Sequence, residues 1–369
     1  MIRIAIDAMG GDYAPQEQVK GAVRALEQDK DLFVYLCGDQ TAVENELAKY
    51  KYDKSRVEIV HTTQIITNEE EPAKAVKAKK DSSTVVAFRL VKEGKADGVV
   101  SSGSTGAALS CGVLILGRVR GISRPGLCPV LPSAKGGSTL LCDCGANLEC
   151  KPINLVHFAL MGTAYAKAAY GKENPTVGLL NNGTEDHKGD LVHQEANMTL
   201  KTTPGINYVG NIEGRDIMLG EVDVVVSDGY TGNVAIKSIE GTGKAVGMIL
   251  KSEFKRNIFT KLGAVLVSGI LGKVKKVMDY ERCGGAMMLG LSKVVVKGHG
   301  NSKAKGFAVC IKQAADAVRG DMVGKIADML EEIRKAEEAA AAEQAAAEQA
   351  VATAETVAAE TPAAAPEQA

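Results

Sequence analysis

The feature that most constrains this chain is a regular alternation of short apolar runs with segments of helix length. Seven runs have the composition of strands: Arg3–Asp7, Leu32–Cys37, Val57–Val60, Gly98–Ser101, Thr139–Asp143, Thr176–Leu180 and Val222–Ser227. Such alternation favours βαβ units and a largely parallel sheet. The β-branched run Val222-Asp223-Val224-Val225-Val226 is typical of a strand that is buried on both faces. We therefore predict an α/β fold, with a largely parallel sheet flanked by helices.

The length and the change of composition near the end predict the domain organisation. The chain has 369 residues, enough for about two ordinary domains or one large α/β unit. We predict a single catalytic unit over residues 1–335. From Ala336 the sequence is nearly all Ala, Glu and Gln and then becomes Pro-rich. A helix could continue outward from Asp321, but beyond roughly residue 350 there is little to bury, so 336–369 is predicted to be a low-complexity tail.

Composition argues against two classes of partner and function. The net charge is −1, aromatic residues make up 4% of the chain and Trp is absent, so neither a basic surface nor stacking platforms for nucleic acid are indicated. No apolar run approaches the roughly 18 residues of a membrane-spanning helix. The first residues enter a strand-like pattern without the layout of a signal peptide, and we expect a cytoplasmic protein.

Three of the eight cysteines are clustered, namely Cys142, Cys144 and Cys150 in a C-x-C-x5-C pattern. Structural zinc sites usually have C-x2-C spacing and four ligands, which this cluster lacks. Small buried thiols in a reducing compartment are the favoured interpretation, and no metal site is predicted.

Four predicted strands run directly into loops of glycine and small polar residues, over residues 101–107, 143–147, 181–184 and 227–233. Ligands of open α/β sheets bind at the carboxyl ends of strands, and glycine lets backbone N–H groups approach an anion. A helix that follows such a loop adds further donors and a partial positive charge. The loops therefore predict a shared site for an anion of phosphate size. Its candidate residues are Ser102, Ser104, Thr105, Gly106, Asn147, Asn181, Asn182, Gly183, Asp228, Thr231 and Asn233.

Nucleotide and serine-hydrolase motifs are missing. The run Gly241-Thr242-Gly243-Lys244 resembles the end of a P-loop, but Ser238 and Ala245 stand where that motif has Gly and Ser or Thr. No G-x-G-x-x-G follows a strand in the dinucleotide-binding pattern, and the sequence contains no G-x-S-x-G nucleophile elbow.

Several segments resemble, in the same order, those of the PlsX family of acyl-acyl-carrier-protein:phosphate acyltransferases. These are Asp7 to Asp12, Ser101 to Ala107, Arg124-Pro125, Gly178 to Gly183 with Lys188-Gly189, Gly210 to Asp216, Ser227 to Asn233 with Lys237, Gly284 to Ala286, and His299-Gly300. The sequence departs from the family at Ser102, Ser104, Cys144 and Asn182, where Ala, Asn, Val and Ile are usual.

The resemblance implies a fold like that of isopropylmalate dehydrogenase and phosphotransacetylase, a homodimer, and no cofactor. It implies a reaction that joins fatty-acid synthesis to phospholipid synthesis, in which acyl carrier protein gives its acyl group to inorganic phosphate to form acyl phosphate. Two alternatives stay open. One is a phosphate acyltransferase that uses acyl-CoA, and the other is a non-catalytic membrane scaffold for lipid enzymes.

This chemistry needs little from side chains, because phosphate is itself the nucleophile and the enzyme has to position two partners and stabilise an oxyanion. Lys188 matches the family's Lys-Gly and is predicted to be the cation for phosphate or oxyanion; a solvated Lys at a helix start is the alternative. His299 either contacts substrate or shapes its loop. Asp7, Gly10 and Gly11 are predicted to border the substrate or to fix a turn at the strand end, and Asp228 to orient Thr231 or a lysine.

The segment Met248–Val277 is basic and amphipathic. It contains seven Lys or Arg residues and one acid, and five apolar residues recur every four positions: Phe254, Ile258, Leu262, Leu266 and Ile270. Glycines at 263, 269 and 272 indicate a break, and hence a helical hairpin. Apolar side chains flanked by cations suit the surface of an anionic membrane, so peripheral membrane association is expected. A dimer interface or a core hairpin is the alternative.

Overall fold

Two sheets organise the chain in the computed structural model, which describes residues 1–277, 284–336 and 338–339. The first has seven strands in the order β3-β2-β1-β4-β12-β11-β5. Its strands are β1 Ile2–Asp7, β2 Leu32–Gly38, β3 Val57–His61, β4 Gly98–Ser101, β5 Gly126–Cys128, β11 Ala286–Leu289 and β12 Val294–Lys297. The second has five, in the order β6-β7-β10-β8-β9. They are β6 Val130–Pro132, β7 Ser138–Cys142, β8 Thr176–Asn181, β9 Asn207–Glu213 and β10 Val224–Val226.

Most strand pairs are parallel, and the predicted α/β class is confirmed. Only β11, with both of its neighbours, and β6, with β7, pair antiparallel among the strands described. The helices are α1 Gln16–Gln28, α2 Gln40–Leu47, α3 Pro72–Ala78, α4 Ser83–Lys92, α5 Thr105–Cys111, α6 Pro152–Tyr170, α7 Leu191–Thr202, α8 Gly229–Lys255, α9 Ile258–Leu266, α10 Ser268–Val277 and α11 Ala304–Arg319. A further helix runs over 322–336.

Strands of both sheets contribute side chains to one central apolar cluster. In β10, Val224 and Val226 join the central cluster, whereas Val225 faces a separate outer cluster, as the two-residue repeat of a strand requires. The central cluster also contains Ile4 and Ile6 of β1. Helix α6 is apolar on nearly all sides and lies within that cluster, as expected for a helix buried between layers.

Helices α8 to α10 have little contact with this core. Gly229 and Gly232 are the residues of α8 that are buried. The chain bends at Asn257, whose side chain accepts a hydrogen bond from Thr260 N at 2.9 Å and caps α9, and again at Val267. The glycines at 263, 269 and 272 lie inside α9 and α10, so the predicted break occurs at a capping residue rather than at glycine.

Two further expectations concern the end of the chain and the membrane. The helix over 322–336 packs Met322, Ile326 and Met329 into the central core. Apart from Ala336, Glu338 and Ala339, which are helical, the predicted tail lies outside the described residues. Across the described part of the chain, no helix combines the length and apolarity needed to cross a bilayer.

Candidate active site

The first group of predicted site residues lies where β1, β4 and β12 end side by side. Asp7, the last residue of β1, is fully buried. Its Oδ2 accepts hydrogen bonds from Thr84 Oγ1 and Ser101 Oγ, both at 2.7 Å. Its Oδ1 is also buried and has no hydrogen-bond partner among the described residues. Asp7 therefore connects β1 to β4 and to helix α4 through Oδ2, whereas its Oδ1 accepts no hydrogen bond from the described residues.

Gly10 and Gly11 bring the first loop against the loop that follows β4. The carbonyl of Gly10 accepts hydrogen bonds from Gln18 Nε2 at 2.7 Å and Ser102 Oγ at 2.8 Å. A Cβ at Gly10 would lie 2.5 Å from Asp7 Oδ2, and Gly11 has a φ of +102°. A side chain at either position would therefore strain the first loop or push it away from its neighbours. The hydroxyl of Ser102 is buried and is used to hold them together.

The remaining residues of the loop after β4 begin helix α5. Ser104 Oγ accepts a hydrogen bond from Ala107 N at 3.4 Å and caps the helix. Thr105 is exposed. Gly106 packs on helix α3, where an added Cβ would lie 2.5 Å from Pro72 Cγ. Of this loop's predicted residues, Thr105 presents the most accessible hydroxyl.

Lys297, which was not among the predicted residues, completes the first group from β12. It pairs with Ser101 in the sheet and is 8% exposed. Its ammonium group donates a hydrogen bond to the Gly298 carbonyl. Burial lowers the pKa of Lys297 to about 8, although the acidic groups of Cys310, Asp7 and Asp12 oppose the decrease. A charged residue directly after three valines was the signal available in the sequence.

The loop that carries His299 is fastened to both other loops of this group. Gly298 N donates to Ser101 O at 2.9 Å, and Asp12 N donates to Gly300 O at 2.9 Å. His299 itself is exposed. It therefore lies at the surface beside Lys297 and the Gly10–Gly11 turn.

The second group lies where β7, β10 and β8 end, and a buried carboxylate organises it. Asp143 accepts five hydrogen bonds, from Leu127 N, Gly145 N, Ala146 N, Asn147 N and Asn147 Nδ2. Burial raises the pKa of Asp143, and these hydrogen bonds oppose the increase. Asn147 also donates to Pro125 O at 2.8 Å, so its amide group is used within the protein.

Lys188 is held beside the Asn-Asn-Gly loop that follows β8. Asn181 Nδ2 donates to Lys188 O at 3.2 Å, and Asn182 Oδ1 accepts from Gly189 N at 3.1 Å. The Lys188 side chain packs over Gly183, where a Cβ would lie 2.9 Å from Lys188 Cγ. Among the described residues, no ion pair includes Lys188. The loop thus holds the partly exposed Lys188 side chain against the Asn-Asn-Gly turn.

A histidine joins this loop to the start of α8. His193 Nδ1 lies 2.7 Å from Asp190 Oδ1, and its Nε2 lies 3.8 Å from Asp228 Oδ2. Burial disfavours the charged form of Asp190, but hydrogen bonds from His193 hold the pKa of that carboxyl below its usual value. Asp228 Oδ1 accepts from Thr231 N at 2.8 Å, which is the orienting contact expected from the sequence. Nothing in the pattern around His193 marked it as part of the site.

The predicted residues are therefore divided between two loop groups, one on each sheet. The first group, at β1, β4 and β12, contains the predicted residues Asp7, Gly10, Gly11, Ser102, Ser104, Thr105, Gly106 and His299, together with Lys297. The second, at β7, β8 and β10, contains Asn147, Asn181, Asn182, Gly183, Lys188, Asp228, Thr231 and Asn233. The amide of Asn233 packs over Gly145, where a Cβ would lie 2.9 Å from Asn233 Nδ2. The hydrogen bond from Leu127 N to Asp143 Oδ1 connects the two sheets beside these loops.

Cysteines and other potential metal ligands also lie near these loop groups. The described residues contain no cluster of three or more His, Cys, Asp or Glu side chains that would hold a metal ion. Burial raises the pKa of Cys142 and Cys144 well above the usual value, and that of Cys150 to about 11. Such thiols are poor nucleophiles at neutral pH. Cys283 lies outside the described residues.

Comparison with known proteins gives consistent relatives. A family model described as "Fatty acid synthesis protein" matches residues 2–325. The phosphate acyltransferase of Caldanaerobacter subterraneus subsp. tengcongensis is 44% identical over 330 residues, which are 89% of this chain and 98% of that protein. The phosphate acyltransferase of Alkaliphilus oremlandii is 47% identical over 313 residues, or 85% of this chain and 92% of that protein.

A similar fold occurs in a solved structure. The crystal structure of a phosphotransacetylase from Streptococcus pyogenes superposes with a TM-score of 0.58 over 86% of this chain and 94% of that one. The two sequences are 19% identical, so this likeness concerns the fold alone. It confirms the predicted similarity to the phosphotransacetylase fold.

Proposed function

The chain belongs to the PlsX family of fatty acid synthesis proteins, and from this membership we propose that it transfers a fatty acyl group from acyl carrier protein to inorganic phosphate. The product, acyl phosphate, would supply phospholipid synthesis. The observation that carries the proposal is the second loop group, in which the Lys188 side chain packs against an Asn-Asn-Gly turn at a strand end. Such a turn is suited to an oxyanion and requires no protein nucleophile.

The proposed reaction is a direct acyl transfer. A phosphate oxygen attacks the thioester carbonyl carbon, a C–O bond forms, and the C–S bond breaks. The thiolate of the carrier's phosphopantetheine leaves and takes up a proton. Lys188 neutralises the incoming phosphate and the tetrahedral oxyanion. The turn of Asn181, Asn182 and Gly183, whose Asn181 amide binds Lys188 O, positions this lysine. Asp228 orients the start of α8, where Thr231 and Asn233 lie. No cofactor takes part.

The first loop group would border a second part of the substrates. Its accessible groups are the Thr105 hydroxyl and His299, and its buried residues hold three strand ends together. Two partners have to be positioned in one reaction, and two loop groups at neighbouring strand ends match that requirement.

We also propose a homodimer that associates peripherally with anionic membranes from the cytoplasm. Helix α8 exposes Val234, Val246, Met248 and Ile249, which suits contact with a second copy. Helices α9 and α10 expose a larger apolar set: Ile258, Phe259, Leu262, Val265, Leu266 and Ile270. Lys255, Arg256 and Lys261 flank it, as in surfaces that rest on anionic lipid.

The decisive experiment is incubation of the purified protein with palmitoyl-acyl carrier protein and labelled phosphate, followed by detection of labelled acyl phosphate. Parallel reactions contain palmitoyl-CoA instead. Product from the carrier-bound substrate at the higher kcat/KM supports the proposal. Product from acyl-CoA alone would support the acyl-CoA enzyme, and a folded protein that forms no product from either donor would contradict phosphate acyltransfer.

A further inference from the structure

The inference concerns Lys297, a buried cation that the fold itself does not require. An ammonium group has three donors. Among the described residues, the Gly298 carbonyl is the one acceptor found for it, and no carboxylate forms an ion pair with it. Burying a charge with so little compensation is costly, and an apolar side chain of the same length would avoid the cost.

The surroundings of Lys297 explain how a charge is tolerated there. The acidic groups of Cys310 in α11, Asp7 at the end of β1 and Asp12 in the loop after β1 favour its protonated form. Asp7 is fully buried, and its Oδ1 has no hydrogen-bond partner in the described part of the chain. A buried carboxylate and a buried ammonium thus stand near each other without contact, each with unused hydrogen-bonding capacity.

Lys297 also controls the loop that carries His299. Its ammonium group binds the Gly298 carbonyl, and the N–H of the same residue binds Ser101 O. Gly300 O accepts a hydrogen bond from Asp12 N, in the Gly10–Gly11 turn. The position of the lysine side chain therefore fixes one border of the first loop group, and its charge raises the local potential for an anion.

We propose that Lys297 is a positioning residue for phosphate acyltransfer, which sets the Gly298–Gly300 loop and supplies positive potential for a phosphate group of a substrate. This inference rests on the proposed function. Two sources provide such a group: inorganic phosphate, and the phosphodiester of the carrier's phosphopantetheine arm. In both cases the group is anionic, and the lysine acts on it through the loop and through its electric field.

The test compares three variants of the full chain. Lys297→Met keeps the length and removes the charge, and Lys297→Arg keeps the charge. Lys293→Met makes the same change at an exposed lysine directly before β12 and serves as the matched control. Circular dichroism establishes that each variant is folded. We then measure kcat, both KM values, and the pH dependence of kcat/KM on either side of pH 8.

We expect Lys297→Met to lose about 10-fold to 100-fold in kcat/KM, and Lys297→Arg to recover part of the loss. In the wild type, activity should decline as Lys297 deprotonates near pH 8, and this alkaline limb should be missing from Lys297→Met. Lys293→Met should stay within about twofold of wild type.

Comparing the KM values of the two substrates shows which phosphate group the Gly298–Gly300 loop contacts. A raised KM for inorganic phosphate assigns the loop to that substrate. A raised KM for acyl carrier protein, absent with an acyl N-acetylcysteamine thioester that lacks the phosphodiester, assigns it to the phosphopantetheine arm. A folded Lys297→Met that keeps wild-type constants and the wild-type alkaline limb would overturn the inference.

A binding measurement separates this inference from the proposed function. Thermal unfolding is followed with increasing inorganic phosphate or phosphopantetheine, because a ligand that binds the folded state raises Tm. At least one should raise the Tm of wild type more than that of Lys297→Met. Equal increases in both proteins, or no increase in wild type, would contradict the role of Lys297 even if no turnover were detected. A wild type that binds but forms no acyl phosphate would contradict the proposed function alone.

Discussion

Replacing Lys297 with Met should make the protein more stable at neutral pH, even though it impairs the proposed reaction. The pKa of Lys297 is lowered from 10.5 to about 8 by burial. At about 1.4 kcal/mol per pKa unit, this decrease corresponds to a destabilisation of roughly 3 kcal/mol when the lysine is charged. Loss of the hydrogen bond to Gly298 O offsets about 1 kcal/mol of the gain. The expected net increase in unfolding free energy is about 2 kcal/mol.

The pH dependence gives this prediction a definite sign. Below pH 8 the lysine is charged in the folded and the unfolded chain, so the destabilisation is fully present. Between pH 8 and 10.5 the unfolded chain binds more protons, so the wild type becomes more stable as pH rises. Above 10.5 the lysine is neutral in both states, and the advantage of Lys297→Met should disappear.

Urea unfolding followed by circular dichroism, at pH 7 and again near pH 10.5, measures the difference between wild type and variant. Other titrating groups are common to both proteins and cancel in the comparison. Lys293→Met, with an exposed lysine, should change little at either pH. A variant that is less stable than wild type at pH 7, or equally more stable at both values, would refute the reasoning.

The other predictions concern the second loop group, the C-terminal tail and helix α9. Lys188→Ala should lower activity by about 10²–10³ and remain folded; near wild-type kcat and phosphate KM would move the search for the cation to Lys237. Deletion of residues 345–369 should leave kcat/KM intact, because a low-complexity run supplies no packed site, and a tenfold loss would contradict this. Leu266→Glu should reduce salt-sensitive sedimentation with anionic vesicles, and equal sedimentation of variant and wild type would remove the membrane claim.

Six of the seven predicted strands lie in sheet interiors, and β3 at the edge of the first sheet is the exception. Three of the missed strands, β5, β6 and β9, lie at sheet edges and are either three residues long or polar. Edge strands have one hydrogen-bonded neighbour, so the sheet rather than their own composition determines them. Strand β12 was also missed, although the three valines before Lys297 have the composition of a buried strand.

The glycine loops could be found from the sequence, but their grouping could not. A loop belongs to the first or second group according to which strands are neighbours, and β12 lies between β4 and β11 in the first sheet, although almost 200 residues of sequence, from Ser101 to Val294, separate β4 from β12. No local pattern carries that information. The pairing of β12 with β4, and of β4 with β1, brings Lys297 to the end of the sheet that carries Asp7. In the second group, the fold likewise brings His193 within 3.8 Å of Asp228.

The structure also separates what a motif residue does from where a motif lies. Asp7 and Gly10 were predicted either to border the substrate or to fix a turn, and Ser102 to lie at the anion site; the polar contacts of all three close the loops on one another. The polar groups that form these hydrogen bonds are therefore used within the loops and are not available to a ligand. Lysine side chains stand next to such turns: Lys188 beside Asn181–Gly183, and Lys297 at the end of β12 beside the Gly298–Gly300 loop. A search for function at strand ends should begin with the donors that loop formation leaves unused.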